Sequence, residues 1–270
     1  MKLGVTMGIE LISGRLSWLA ITVVFSSAML VFLVLAMKRI YDPKIRRHPG
    51  IDAIDEAIGR AVEMGQPVCY SPGIAGIYST KYAADTSAAL TILDYVAKKA
   101  VEKGAPIIVG VAPPTVLPLA EDIVKTAYIT MGRPEEYKSG ETVRFLSPHQ
   151  WGFTSGYIGI LHREKPAVNL LLGCHAAEAM IIAETGASVG AVQISGTTNV
   201  YQMPFFIAAC DYTFLAEDEY AAAAYLSPDP TQRGVIFGQD IAKIICSILV
   251  LLGAISATFG IEVFKEILSL

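Results

Sequence analysis

Uncharged, mostly apolar residues run without a break from Leu16 to Met37 and again from Ile244 to Ile261, and between the two runs apolar positions recur at helix or strand spacing. The first run is opened by Arg15 and Trp18 and closed by Lys38 and Arg39. As a helix it reaches about 33 Å, enough to cross a bilayer's hydrocarbon core. That apolar core exceeds the roughly 7–15 residues of a signal peptide, and no A-x-A-like site precedes Lys38, so an uncleaved anchor is expected. The pattern predicts tails at 1–15 and 262–270, transmembrane helices at 16–37 and 241–261, a juxtamembrane collar at 38–47 and a head at 48–239. In the second run Gly253, Ser256, Ala257 and Gly260 form small-xxx-small pairs, which either join the two spans or join protomers.

Inside the head the period alternates. Ile51, Ile54, Ile58 and Val62 line one face of a helix from Ile51 to Met64, stopped by Gly65 and Pro67. The short apolar strand Pro67 to Tyr70 follows, then a helix from Asp85, read as its N-cap, to Lys103. Ile107 to Val111 is a second strand, with a helix after it that ends at Met131. Thr142 to Leu146 is a third strand. Ser147-Pro148-His149-Gln150 then has the form of a capping box for a helix to about His162. Strands at Ala167 to Leu172 and Val189 to Ile194 flank a helix ending at Thr185-Gly186. Phe205 to Cys210 reads as a last strand, too close behind Ile194 for a parallel crossover and so antiparallel or at an edge. A helix near Glu217 to Tyr225 and the Pro228, Pro230 loop return the chain to the membrane at Asp240 and Lys243. Strand–helix alternation of this kind implies an α/β fold: an open, mostly parallel Rossmann-like sheet with helices on both faces, flanked by two transmembrane helices.

Charge changes the picture. The net charge of -4 is unevenly spread: Lys38, Arg39, Lys44, Arg46 and Arg47 against Asp42 make the collar basic, while the head holds nearly twice as many acidic as basic side chains. An acidic head excludes nucleic acid, whose binders cluster Lys and Arg on one face. Basic residues beside a span stay cytoplasmic, and the tails carry only Lys2, Arg15 and Lys265. The head is therefore expected in the cytoplasm, both termini outside, with the bilayer and its anionic headgroups as partners. Cys69, Cys174, Cys210 and Cys246 show no C-x-x-C pair, which fits free thiols in a reducing compartment. His48, His149, His162 and His175 form no H-x-x-x-H pair, so neither a metal nor a cofactor is indicated.

Candidate chemistry lies at the carboxyl ends of the strands, where open parallel sheets bind ligands. Those ends are 71–76, 113–115, 147–149, 173–175 and 195–199, all small, polar or proline-containing, as βα turns also require on their own account. Gly73 and Gly76 bound a glycine loop that lacks both G-x-G-x-x-G and a P-loop lysine, so a plain turn is favoured over phosphate binding. Thr197, Thr198 and Asn199 offer more donors and are the better phosphate or sugar candidates. Cys174 and His175 open a helix, where a thiol's pKa falls, but neighbours about 100° apart make a poor nucleophile–base pair and a structural cysteine is the commoner outcome. Glu178, among alanines, either faces the crevice or pairs with a cation, the pair being favoured. Asp211, Glu217, Asp218 and Glu219 could bind a cation or do acid–base work, but acids at a helix start are ordinary complements to its dipole. No complete catalytic constellation emerges.

The stretches His48 to Gly65, Gly190 to Asn199 and Gln202 to Tyr212 resemble an uncharacterised family of prokaryotic membrane proteins that carry a domain of unknown function. That resemblance implies a two-span anchor around a Rossmann-like head, in a bacterial or archaeal cell membrane, and brings no catalytic residue. The function expected is a membrane-anchored scaffold or binding module that self-assembles into a homo-oligomer, since Pro204 to Ala209 and Ala221 to Tyr225 read as exposed apolar runs. The alternative is a sensor or enzyme for a small molecule, phosphorylated or not, at the strand ends, using Thr197, Thr198 and Asn199 with Glu178 or His175. A transporter is a poor third, because two spans without an intramembrane charge make no pathway.

Overall fold

A computed structural model describes residues 16–41, 43–78 and 81–259. The expected tails with Arg15 and Lys265, the collar's Asp42, and Gly260 and Ile261 at the end of the second apolar run lie outside the described residues. The chain divides into two compact units, one of residues 1–44 and 229–270 and one of residues 45–228.

In the first unit α1 (Leu16–Met37) pairs with α9 (Pro230–Thr258). Asp229 caps α9 by accepting the Thr231 N–H at 2.9 Å. Two glycines bring the helices together: a β-carbon on Gly234 would run into Ala36, and one on Gly238 would lie 3.0 Å from the Met29 Cα. Since Gly234 meets the end of α1 and Gly238 a point further back, the helices run antiparallel. This Gly-xxx-Gly pair lies ahead of the one expected to matter, and nothing stands within 4 Å of a β-carbon on Gly253. Leu30, Val31, Ile248, Val250, Leu251 and Leu252 are exposed. Among the described residues one helix, Pro230–Thr258, is long and apolar enough to cross a membrane, where two were expected; the apolar stretch of α1 with described side chains, Ile21–Met37, falls short of that length.

The second unit is built on six strands, all parallel, in the order β3-β2-β1-β4-β5-β6. Along the chain run α2 (Pro49–Met64), β1 (Val68–Ser71), α3 (Ala83–Lys103), β2 (Ile107–Val111), α4 (Leu117–Thr130), β3 (Val143–Phe145), α5 (Gln150–Glu164), β4 (Val168–Leu172), α6 (Glu178–Ser188), β5 (Val192–Thr197), α7 (Met203–Ala209), β6 (Tyr212–Leu215) and α8 (Glu217–Leu226). β1, β2 and β4 are buried along their whole length, as strands covered on both faces must be. One core packs α2, α3, α4 and α8 on Val68, Tyr70, Val109, Leu170 and Ile194; the other packs α5, α6 and α7 on Cys69, Ile108 and Leu171. Period-2 alternation along β1 feeds both. Beneath α5 and α6, Tyr157 donates to Asn169 at 2.9 Å, Asn169 donates to Gln193 at 2.9 Å, and Gln193 donates to the Ala183 carbonyl, which satisfies the polar residues that cross this core.

Several expectations need correction. Asp85 does not cap α3, which starts at Ala83, and the 147–150 stretch forms no capping box, since α5 starts at Gln150 behind His149. Phe205 to Cys210 is not a strand: Met203–Ala209 is helix α7, with proline in its first turn, and only Phe206 is buried against the sheet. β5 extends to Thr197, so α7 is a true crossover and β6 is a parallel edge strand. Most of the run Ala221 to Tyr225 turns inward, because Ala222, Ala223 and Ala224 are buried by α8 in the core, and Tyr225 alone of the five is exposed. Short apolar runs look alike at period 2 and 3.6, so length alone misled here.

Candidate functional site

β1 and β4 are adjacent, and the chain leaves them towards opposite halves of the sheet, so their carboxyl ends form the switch point where doubly wound folds open a ligand crevice. Here the loops close on each other. Gly73 (φ 86°) and Gly173 (φ 87°) take a backbone conformation that favours glycine. A β-carbon on Gly73 would enter the Cys174 backbone, and one on Gly173 would lie 2.6 Å from the Pro72 carbonyl. The Ile74 N–H donates to the Cys174 carbonyl at 2.8 Å. Space for a pyrophosphate is replaced by backbone.

On the face covered by α5, α6 and α7, the groups around His175 and Glu178 are engaged with one another, while the buried Ser195 Oγ and Gln202 Oε1 nearby have no hydrogen-bond partner. His175 is buried with Nδ1 3.3 Å from the Gly173 carbonyl and Nε2 3.3 Å from Ser71 Oγ. A carbonyl only accepts, so Nδ1 carries the proton and Nε2 accepts the Ser71 hydroxyl. Burial, as the largest influence, lowers the His175 pKa and keeps the ring neutral. Ser71 Oγ also accepts the Gly73 N–H at 3.2 Å. Glu178 accepts the Ala176 N–H at 2.8 Å and the Gln150 side-chain amide at 2.6 Å. Asn199 donates to the His175 carbonyl at 3.1 Å, its N–H donates to Thr197 at 3.1 Å, and its Oδ1 accepts the Tyr201 N–H at 3.3 Å.

On the face covered by α3 and α8 the accounting does not close. Asp85 and Glu219 are both 0 % exposed. Asp85 lies in the first turn of α3, on the buried stripe that continues through Ala89, Leu93 and Val96. Glu219 lies in the first turn of α8, above Ala222 and Ala223. A β-carbon on Gly196 would lie 2.6 Å from the Leu172 side chain and in ordinary contact, 3.5 Å, with the Glu219 carboxyl carbon, so β5 passes directly against the carboxyl. Ala216, at φ 51°, bends the chain into α8 at a backbone cost of about 1–3 kcal/mol. Glu219 Oε1 accepts the Gly173 N–H at 2.7 Å, but Glu219 Oε2 and both Asp85 oxygens have no hydrogen bond of good geometry. The Thr198 hydroxyl and N–H and the Tyr220 hydroxyl are the polar groups beside Asp85, and a 3.5 Å bond runs from the Tyr220 hydroxyl to Thr198 Oγ1. Burial raises the Asp85 pKa, and burial followed by the neighbouring Asp85 charge raises that of Glu219 well above the carboxylate range. Two desolvated carboxyls side by side hold a proton or a cation between them, and they repel an anion.

The residues singled out from the sequence fall into place around this crest. Gly73, His175, Glu178, Thr197 and Asn199 are structural stitching on the first face, and Thr198 sits on the other. Gly76 lies apart: a β-carbon there would lie 2.9 Å from Thr115 Oγ1. Glu178 pairs with no cation among the described residues; an amide and a backbone N–H serve it instead. Cys174 does not open a helix, since α6 begins at Glu178, and burial followed by the charges of Asp85, Glu178 and Glu219 pushes its thiol up to about 12. It is no nucleophile at neutral pH. Asp85 was passed over because it reads as an N-cap, which it is not, and Glu219 because an acid in a helix's first turn is an ordinary dipole complement; the signal that sets them apart is their position on an apolar stripe. Two cavities, of about 340 and 280 Å³, lie elsewhere, at the start of β5, both lined by Arg60, Val192 and Asp211.

The family described as Domain of unknown function (DUF6754) matches residues 9–268, nearly the whole chain. The chain belongs to the DUF6754 family. No curated protein and no solved structure matches it. Membership in DUF6754 covers the apolar helices and the α/β unit alike, and it brings no activity with it.

Proposed function

We propose that this DUF6754 chain is a membrane-anchored α/β module that self-assembles into a homo-oligomer, with its head on the cytoplasmic side of a bacterial or archaeal membrane. The anchor rests on the antiparallel pairing of α1 with α9 and on their exposed apolar side chains, which cost free energy in water and none in lipid. Both apolar helices are read as spans. The sidedness rests on Lys38, Arg39, Lys44 and Arg46, exposed just after α1; Arg47 is engaged with Asp52 at 2.5 Å.

Self-assembly is carried by one observation: α6 and α7 present Met180, Ile181, Phe205 and Ile207 outward, with exposures of 48, 42, 39 and 56 %. An apolar patch on adjacent helices marks a protein contact, and a second copy is the partner supplied at the same membrane. The mass of the detergent-solubilised particle tests it. An oligomer that becomes a monomer in the Phe205→Glu, Ile207→Glu double variant is expected; a wild-type monomer at micromolar concentration refutes the reading. The rival, a phosphorylated ligand at the strand ends, fits less well, since Thr197 and Asn199 are spent on turns and buried carboxyls crowd the crest.

A further inference from the structure

We propose that Asp85 and Glu219 bind a small, oxygen-preferring divalent cation, of the Mg²⁺, Mn²⁺ or Ca²⁺ class, between α3 and α8. The argument is independent of self-assembly and starts from what each group near the pair does with its proton. The Tyr70 hydroxyl donates to the Ala89 carbonyl at 2.5 Å, away from the carboxyls. His175 spends both ring nitrogens on Gly173 and Ser71. Lys81 lies over the Tyr82 ring, 4.8 Å from its centre. Glu178 keeps Gln150 and the Ala176 N–H. Cys174 stays a thiol and points its weak donor at the His175 carbonyl, 3.9 Å away. Those donors have turned elsewhere, Thr198 and Tyr220 beside Asp85 make no hydrogen bond of good geometry to it, and three fully buried acceptor oxygens, Asp85 Oδ1 and Oδ2 and Glu219 Oε2, are left without a partner.

A single shared proton would serve two of those three oxygens. A divalent cation serves all three and matches the charge of two carboxylates. The Thr198 and Tyr220 hydroxyls, next to the pair and only loosely bonded to each other at 3.5 Å, are further oxygen donors. An all-oxygen set selects hard cations over Zn²⁺ or Cu²⁺. No group of three or more His, Cys, Asp or Glu side chains surrounds the position among the described residues, so water completes the coordination, as Mg²⁺ in particular tolerates. The remaining Glu219 oxygen holds the Gly173 N–H, so the cation would tie α3, α8 and the β4 loop together.

The test uses the full chain in detergent, stripped with chelator and titrated with MgCl₂, MnCl₂ or CaCl₂ while thermal unfolding is followed. A cation that binds only the folded state raises Tm with the logarithm of its concentration, by about 5 °C or more at a hundredfold excess over its dissociation constant. Glu219→Gln keeps an acceptor for the Gly173 N–H and so preserves the fold; it and Asp85→Asn are expected to lose at least tenfold in cation affinity. Asp94→Asn, at the surface beside Lys98, keeps the full response. The proposal is overturned if none of the three salts moves the wild-type Tm, or if the shift survives in both Glu219→Gln and Asp85→Asn, since the cation then binds elsewhere. Particle mass is read separately, so loss of the oligomer leaves this result standing.

Discussion

Glu178 and Glu219 make a natural comparison. Each lies in the first turn of a helix at the carboxyl end of the same sheet and each is 0 % exposed, but they lie on opposite faces. Glu178 is surrounded by donors that were going spare: a backbone N–H ahead of its own helix and the amide of Gln150. Glu219 has one N–H, from Gly173, and a second carboxyl as its neighbour. The difference teaches that a buried carboxylate is stabilised or strained by its donor count rather than by its depth. An anion with two good donors acts as a strut, whereas one that faces another anion needs a proton or a cation.

That comparison can be broken at its hinge. Gly173 feeds both sides, donating its N–H to Glu219 and accepting the His175 Nδ1–H at its carbonyl, so Gly173→Ala, which puts a β-carbon at φ 87° against the Pro72 carbonyl, should have the largest effect, about 3 kcal/mol or more of lost stability in denaturant unfolding. Next is Glu178→Ala, which strands the Gln150 amide and an N–H; a loss of about 2 kcal/mol is expected, and an unchanged unfolding midpoint would show that the strut carries no load. The smallest effect is the sharpest, because its sign reverses. In chelator, Glu219→Gln should gain about 1 kcal/mol, since the amide keeps the Gly173 contact and removes a buried charge. The pH dependence has a definite direction. The folded pKa of Glu219 is raised, so the unfolded chain releases this proton first; stability present below about pH 4.5 is lost as pH rises towards the folded value, and Glu219→Gln should flatten that decline in chelated protein.

Much of the fold was legible. β2 falls at Ile107–Val111 as read, and four other strands shift by one to three residues, because Val- and Ile-rich runs bounded by Gly and Pro have one reasonable reading. α7 was not legible, because seven residues with two adjacent phenylalanines satisfy either period and the choice falls to whether Phe206 alone or alternate residues meet the sheet. At the crest, the neighbourhoods of His175, Glu178 and Asn199 were reachable from strand-end reasoning, while their roles were not. Whether Asn199 reaches a ligand or the His175 carbonyl depends on a loop from another strand.

Local order decided the two uncharged helical runs, the acidic head with its basic collar and the strand–helix alternation, because each is a property of neighbours in the chain: hydropathy, charge and period need no partner. Tertiary structure alone decided which acids are supported and which are exposed to each other. Asp85 and Glu219 belong to helices at opposite ends of the second unit's sequence, and only the order of six strands brings their first turns together. Desolvation and donor supply act between residues distant in sequence, and folding is what sets them side by side.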